Sequence, residues 1–129
     1  MKTYKFNIPI YDVHVDMIQV EGKEDAEGVV RFMQAIKCKQ EFVDEVTGYI
    51  KKECMDGGEV YRNFDLRKML VIFCPFKTEE TRAEVYCHEK RHIEDRIMQF
   101  YNVNDIESAG LLAGYLGRHF FKFWNTVTK

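Results

Sequence analysis

The C-terminal part of the chain carries two long helical patterns, and a short break separates them. Thr78 or Thr81 can cap a first helix over residues 79–101, and a last helix runs from Asp105 towards Trp124. Residues 102–105 break the pattern between the two helices. Because the break is short, we expect the chain to double back there and the two helices to lie side by side.

The earlier part of the chain carries strand patterns and shorter helical patterns. Residues 4–20 mix aromatic, β-branched and polar side chains with partial alternation, which favours a strand or a hairpin. Residues 59–64 are a short strand candidate, and the apolar run over residues 69–74 predicts a buried strand. Helical spacing predicts helices over 24–39 and 41–52, although β-branched residues leave a strand open in the second segment.

Strands that come first and two long helices that come last predict an α+β fold. With 129 residues, the chain is long enough for one domain and too short for two of ordinary size. We therefore expect residues 1–129 to form a single domain. In this domain a small mixed sheet lies over the first helix, and the two C-terminal helices close the fold.

Composition and charge exclude several classes of protein. The chain is 46% hydrophobic with a formal net charge of -2, a balance that fits neither a disordered chain nor a basic nucleic-acid-binding domain. No apolar stretch is long enough for a signal peptide or a membrane span, which predicts a cytoplasmic protein without a membrane partner. The four cysteines are too widely spaced for a CxxC motif, so we expect four free thiols.

The segment His88-Glu89-Lys90-Arg91-His92 contains the pattern HExxH within the first long helix. Positions i and i+4 lie on one face of a helix, so both imidazoles can bind a single metal ion. Glu89 projects about 100° further round, where its carboxylate can contact a metal-bound water. Bound Zn²⁺ lowers the pKa of such a water towards neutrality, and Glu89 can then accept a proton as general base. The pattern therefore predicts one Zn²⁺ ion per chain.

Helical angles place His88 and His92 on the border between an apolar face and a charged face of this helix. A catalytic metal suits such a border, because one side is supported by the core and the other stays open to substrate. We therefore expect the metal at the edge of the core.

Catalytic zinc usually takes three protein ligands and a water, so HExxH needs a third ligand. Glu107 is our candidate, because it lies in the first turn of the last helix, after the break. The same stretch also matches a capping box with Asn104 as N-cap and Glu107 at N3, so both roles of Glu107 are open. Asp95, on the HExxH helix, is a spare ligand candidate.

Small residues form a stripe beside Glu107 on the last helix, namely Gly110, Ala113, Gly114 and Gly117. A glycine inside a helix costs about 1 kcal/mol relative to alanine, so this stripe needs a reason. Close packing against the HExxH helix is such a reason, and it would bring Glu107 within reach of the metal.

With these residues in place, the segment resembles zincins, and specifically the gluzincin arrangement of HExxH on one helix and a glutamate on the next. Residues 86–116 look most similar to small HExxH proteins encoded by phages and mobile elements. The resemblance implies a zincin-like domain in which His88, His92 and Glu107 bind zinc and Glu89 is the general base. It also implies hydrolysis of a peptide or other amide bond in a peptide or protein substrate.

Two other interpretations are open at this point. Lys90 and Arg91 occupy positions that are usually uncharged in metallopeptidases, so the domain could be a non-catalytic metal-binding or interaction module on a zincin scaffold. A chance HExxH in an interaction protein is the other interpretation, and it predicts no metal. If the chain is a peptidase, we expect residues 58–64 to form the sheet edge along which an extended substrate aligns.

The remaining histidines and aromatic residues are expected to serve packing. Tyr115 and His119 lie about 80° and 120° from Glu107 around the last helix, and His14 has no spaced partner. Residues 118–124 mix basic and aromatic side chains. For them we expect burial or a homodimer contact rather than nucleic-acid binding.

Overall fold

The computed structural model describes residues 1–129 and contains a four-stranded sheet between two pairs of helices. The elements in chain order are β1 (Lys2–Ile8), β2 (Val13–Gln19), α1 (Ala26–Ala35), α2 (Gln40–Lys51), β3 (Gly58–Asn63), β4 (Lys68–Phe73), α3 (Glu79–Phe100) and α4 (Ile106–Val127). The predicted α+β class with a small mixed sheet is confirmed. The segment 41–52, for which a strand was still open, is helical.

The strand order in the sheet is β1-β2-β4-β3. β2 pairs antiparallel with β1 and parallel with β4, while β3 pairs antiparallel with β4. β1 and β3 are therefore the two edges, and β4 lies inside the sheet. Because β4 is covered on both faces, its sequence from Met69 to Phe73 is an unbroken apolar run rather than an alternating one.

Each face of the sheet packs on its own pair of helices. Val71 of β4 belongs to the core under α3 and α4, whereas its neighbours Leu70 and Ile72 belong to the core under α1 and α2. This alternation follows from the period of two residues in a strand. The sheet thus lies over two helices on one side, not over the first helix alone.

The ends of the two long helices follow from short polar side chains. The hydroxyl of Thr78 accepts a hydrogen bond from the backbone N–H of Thr81, so Thr78, one of the two predicted candidates, is the N-cap of α3. Asp105, not Asn104, is the N-cap of α4, and its carboxylate accepts a hydrogen bond from the backbone N–H of Ser108. The predicted capping box with Glu107 at N3 is therefore wrong by one residue.

Cys54 and Cys74 form a disulfide, so the expectation of four free thiols is wrong. Their spacing of 20 residues gives no sign of the bond, which forms because the chain after α2 and the end of β4 meet. No helix combines the length and the apolar character that a membrane span needs.

Candidate metal centre

His88, Glu89 and His92 lie together in the middle of α3. Their ligand atoms all lie within 4.8 Å of one another, and the Nε2 atoms of the two histidines are 3.0 Å apart. The side chain of His88 is 69% exposed, whereas Glu89 is buried at 4% exposure. The cluster therefore lies at the border between core and solvent, as the helical angles predicted.

The two imidazoles are placed to hold a metal ion. Two nitrogens bound to one zinc at 2.0–2.1 Å in tetrahedral geometry lie about 3.4 Å apart, so the observed separation needs only a small rotation of the rings. Imidazole and carboxylate donors accept zinc and several other divalent ions. The cluster can therefore hold a metal ion, and its donor set leaves the identity of the ion open.

Glu89 presents a buried carboxylate between α3 and β3. Its Oε1 lies 3.8 Å from Nε2 of His88, and its Oε2 is buried without a hydrogen-bond partner. Burial raises the pKa of Glu89, while His92 and His88 act to lower it. A buried carboxylate oxygen without a partner next to two imidazoles would be satisfied by a cation or a water molecule at this point.

Gly58, the first residue of β3, allows this close approach of strand and helix. A Cβ atom on Gly58 would lie 2.9 Å from Cγ of Glu89 and 3.1 Å from Cγ1 of Val85. Gly58 does not have a positive φ, so space rather than backbone freedom requires a glycine here. Its position explains why Glu89 lies under the edge of the sheet.

Glu107 does not join this cluster in the structure. It is exposed in the first turn of α4, and the group of residues that could hold a metal ion contains only the three residues of HExxH. Gly117 lies beside Lys90, because a Cβ on Gly117 would be 3.8 Å from Cε of Lys90. Since Glu107 precedes Gly117 by ten residues, it lies about 15 Å further along α4. Glu107 is therefore placed near the end of α3, away from the histidines.

The predicted packing of the glycine stripe against the HExxH helix is also wrong. A Cβ on Gly110 or on Gly114 would meet no atom within 4 Å. Only Gly117 approaches α3, through the side chain of Lys90. Gly110 and Gly114 thus make no contact with α3, because Leu112, Leu116 and Phe120, on another side of α4, fill the core.

Glu59 is the acidic residue near the cluster that the sequence analysis missed. The negative charge of Glu59 acts to raise the pKa of Glu89. The pKa of Glu59 itself is raised by burial and by the charge of Glu45, and His92 acts to lower it by a smaller amount. Glu59 follows Gly58 on β3, but its neighbour in the register is Ile72, which faces α1 and α2. No sequence spacing relates Glu59 to HExxH, since strand pairing alone brings β3 beside α3.

The charged residues inside and after HExxH pair with one another along α3. Lys90 and Arg91 both form ion pairs with the buried carboxylate of Glu94. Arg91 also pairs with Asp95, with 3.2 Å between Nε and Oδ1. Asp95 is therefore engaged on the charged face, and the structure does not bring it to the cluster as a spare ligand.

Three further residues of the sequence analysis serve packing or local hydrogen bonds. Tyr115 donates a hydrogen bond to the backbone carbonyl of Asn7. His119 is partly buried and stacks on Phe6 between α4 and β1, and His14 contacts Asp16, two residues further along β2. None of the three lies in the metal-ligating group.

Comparison with family models, curated proteins and solved structures found no match to this chain. The resemblance to zincins of phages and mobile elements therefore stays a prediction.

Proposed function

We propose that this protein binds one Zn²⁺ ion through His88 and His92 and hydrolyses a peptide or other amide bond. The observation that carries this proposal is the convergence of two imidazole nitrogens beside a buried carboxylate that has an unpartnered oxygen. Zinc, when bound, lowers the pKa of a coordinated water and polarises a substrate carbonyl. A third ligand from the protein is not part of the proposal.

Glu89 is the general base in this proposal. Packing of α3 against Gly58 holds its carboxylate in place, and burial raises its pKa, which makes the carboxylate a stronger base. Glu89 accepts a proton from the attacking water and passes it to the leaving amine. The exposed side of the cluster, at His88, leaves room for the substrate.

The free edge of β3 is the proposed binding surface for an extended peptide. β3 pairs with β4 on one side only, so its other edge has backbone N–H and C=O groups without strand partners. A peptide that adds to this edge as a further strand passes beside Gly58 and hence beside Glu89. This arrangement supports a peptide rather than a small amide as substrate.

A second candidate function is a metal-binding module without catalysis. The observation that favours it is that no side chain outside HExxH joins the metal-ligating group. In this alternative Glu89 is itself a metal ligand and cannot also act as the base. The ion pairs of Lys90 and Arg91 with Glu94 would then serve to hold the helix.

Metal content of untagged protein tests metal binding itself. We expect about one zinc per chain in the wild type and loss of zinc in His88→Ala. His14→Ala is the matched control, because it removes a histidine outside the cluster and should keep the zinc. Glu107→Gln should also keep the zinc, and loss of zinc in that variant would restore Glu107 as a ligand. A wild type that stays metal-free after zinc is supplied would refute both candidate functions.

Glu89→Gln separates the two functions. If Glu89 is the base, this variant keeps its zinc and loses cleavage of peptides from a fluorogenic library. If Glu89 is a ligand, zinc affinity falls as well. A wild type that binds zinc and cleaves no peptide in the library favours the second candidate.

A further inference from the structure

One flank of α4, between its buried side and its charged side, is apolar along most of its length. Ile106 and Phe121 are 91% and 65% exposed, although both are large hydrophobic residues. Between them lies a line of small residues, and we define the whole line as the α4 outer face, which consists of Ile106, Gly110, Ala113, Gly114, Gly117 and Phe121. These residues span about 100° of the helix and include no charge. Four of these six residues are exposed, and Ala113 and Gly117 are partly exposed. An apolar surface with large exposed side chains at both ends marks a contact site.

Gly110 and Gly114 have no role within the chain that requires a glycine. A Cβ on either residue would meet no atom within 4 Å, and neither has a positive φ. Each makes the helix less stable than alanine would. A helix surface lined by glycine lets a second helix approach more closely, so the cost is offset if a helix packs there.

The order of side-chain sizes on the α4 outer face is symmetric about its centre. In an antiparallel pair with a two-fold axis between Ala113 and Gly114, Gly110 of one copy lies opposite Gly117 of the other. Ile106 of one copy then lies opposite Phe121 of the other. Small residues thus occupy the point where the helices cross, and large residues occupy the ends, where two crossed helices diverge.

The charges beside the α4 outer face have the same symmetry. Glu107, Arg118 and Lys122 lie within about 60° of one another along one edge of this face. The two-fold axis keeps this edge on the same side in both copies. Along the helix axis, Glu107 of one copy therefore lies between Arg118 and Lys122 of the other copy. Because the pair is symmetric, this contact between an acidic and two basic residues forms twice. Acidic and basic residues that complement each other in this way favour a second copy over an unrelated partner.

A groove of about 250 Å³ between α3 and α4 adjoins the α4 outer face. Tyr86, Gly117, Phe121 and Trp124 contribute to its lining. In the antiparallel pair, Ile106 of the second copy lies opposite Phe121 and thus at this groove. Filling the groove removes the exposed side chain of Ile106 from water, which favours association.

We propose that two copies of this chain form a symmetric dimer through antiparallel packing of the α4 outer face. The dimer does not depend on the proposed zinc chemistry. It assigns Glu107, which lies apart from the metal-ligating group, a role at the interface between subunits.

Sedimentation equilibrium on Gly114→Leu tests the contact at the crossing point. We expect a dimeric wild type and a Kd of dissociation that rises about 10- to 100-fold in Gly114→Leu, because leucine holds the helices apart. Gly48→Leu on α2 is the matched control, since a Cβ there also meets no atom within 4 Å, and it should leave the Kd unchanged. Circular dichroism should show an intact fold in both variants. A monomeric wild type, or equal Kd values in the two variants, overturns the proposal.

A charge reversal tests the register. Glu107→Lys should raise the Kd about threefold to tenfold, because like charges then meet at both symmetric contacts. Adding Arg118→Glu and Lys122→Glu should restore the wild-type Kd. Failure of this triple variant to recover dimerisation would overturn the antiparallel register.

Discussion

Replacing Gly58 with alanine tests the close approach of β3 to α3 that positions Glu89. A Cβ at Gly58 would lie 2.9 Å from Cγ of Glu89 and 3.1 Å from both Cδ1 of Phe73 and Cγ1 of Val85. To reach ordinary contact distances, Glu89 must move by about 0.5 Å and the other two side chains by about 0.3 Å. All of these atoms belong to side chains packed between the helix and the sheet, so they can move little.

The expected loss of stability is that of an overpacked core. Added atoms in a well-packed interior cost about 1–3 kcal/mol of unfolding free energy. An unfolding entropy of about 2.1 cal/mol/K per residue over 129 residues converts 1 kcal/mol into about 4 °C. Gly58→Ala should therefore lower the Tm by about 4–11 °C.

Gly48→Ala on α2 is the matched substitution. Its new Cβ meets no atom within 4 Å, and alanine is a better helix former than glycine. We expect a gain of about 0.4–1 kcal/mol, which raises the Tm by about 2–4 °C. Calorimetric melting of both metal-free variants beside the wild type gives the comparison. If Gly58→Ala melts at or above the wild-type temperature, the argument from the 2.9 Å contact is refuted.

Three further predictions concern covalent and ionic contributions to stability. Cys54→Ser removes a disulfide across 20 residues and should cost about 3 kcal/mol, or about 11 °C of Tm, whereas Cys87→Ser, at an exposed free thiol, should leave the Tm unchanged. Burial lowers the pKa of His119 below 6.5, so the unfolded chain binds more protons just below that pH and the fold loses stability as the pH falls. His119→Gln should flatten this slope of Tm against pH, and an unchanged slope would contradict the assignment. The hydrogen bond from the backbone N–H of Ser108 holds the pKa of Asp105 below its usual range. The ionised cap therefore stabilises the fold at neutral pH, and this stabilisation is lost as the pH falls through the lowered pKa. Asp105→Ala should therefore lower the Tm at pH 7 and lose its effect in strong acid, which circular dichroism melts at both pH values can check.

Local periodicity was sufficient to predict most of the elements. The helix predicted over 79–101 is observed over 79–100, and the buried strand predicted over 69–74 is observed over 68–73. The region 4–20 covers β2 and all but the first two residues of β1, which pair antiparallel. These predictions succeed because periods of 3.6 and 2 residues depend on neighbours along the chain.

Contacts between distant segments were not predictable in this way. The disulfide between Cys54 and Cys74 depends on the chain after α2 reaching the end of β4. The side of α4 that faces the core was also assigned wrongly, because the glycine stripe was taken as the packed side. Small residues indicate close packing, but they do not say whether the neighbour is in the same chain.

The sequence by itself determined that His88 and His92 share one helix face with Glu89 beside them, since the geometry of an α-helix leaves no other arrangement. Only the tertiary structure decided that Gly58 buries the carboxylate of Glu89, that Glu59 lies near, and that Glu107 lies apart. The physical reason is that local hydrogen bonds set the positions of side chains around one helix. The core between two packed helices and the neighbouring strand sets how far each element is shifted along the other.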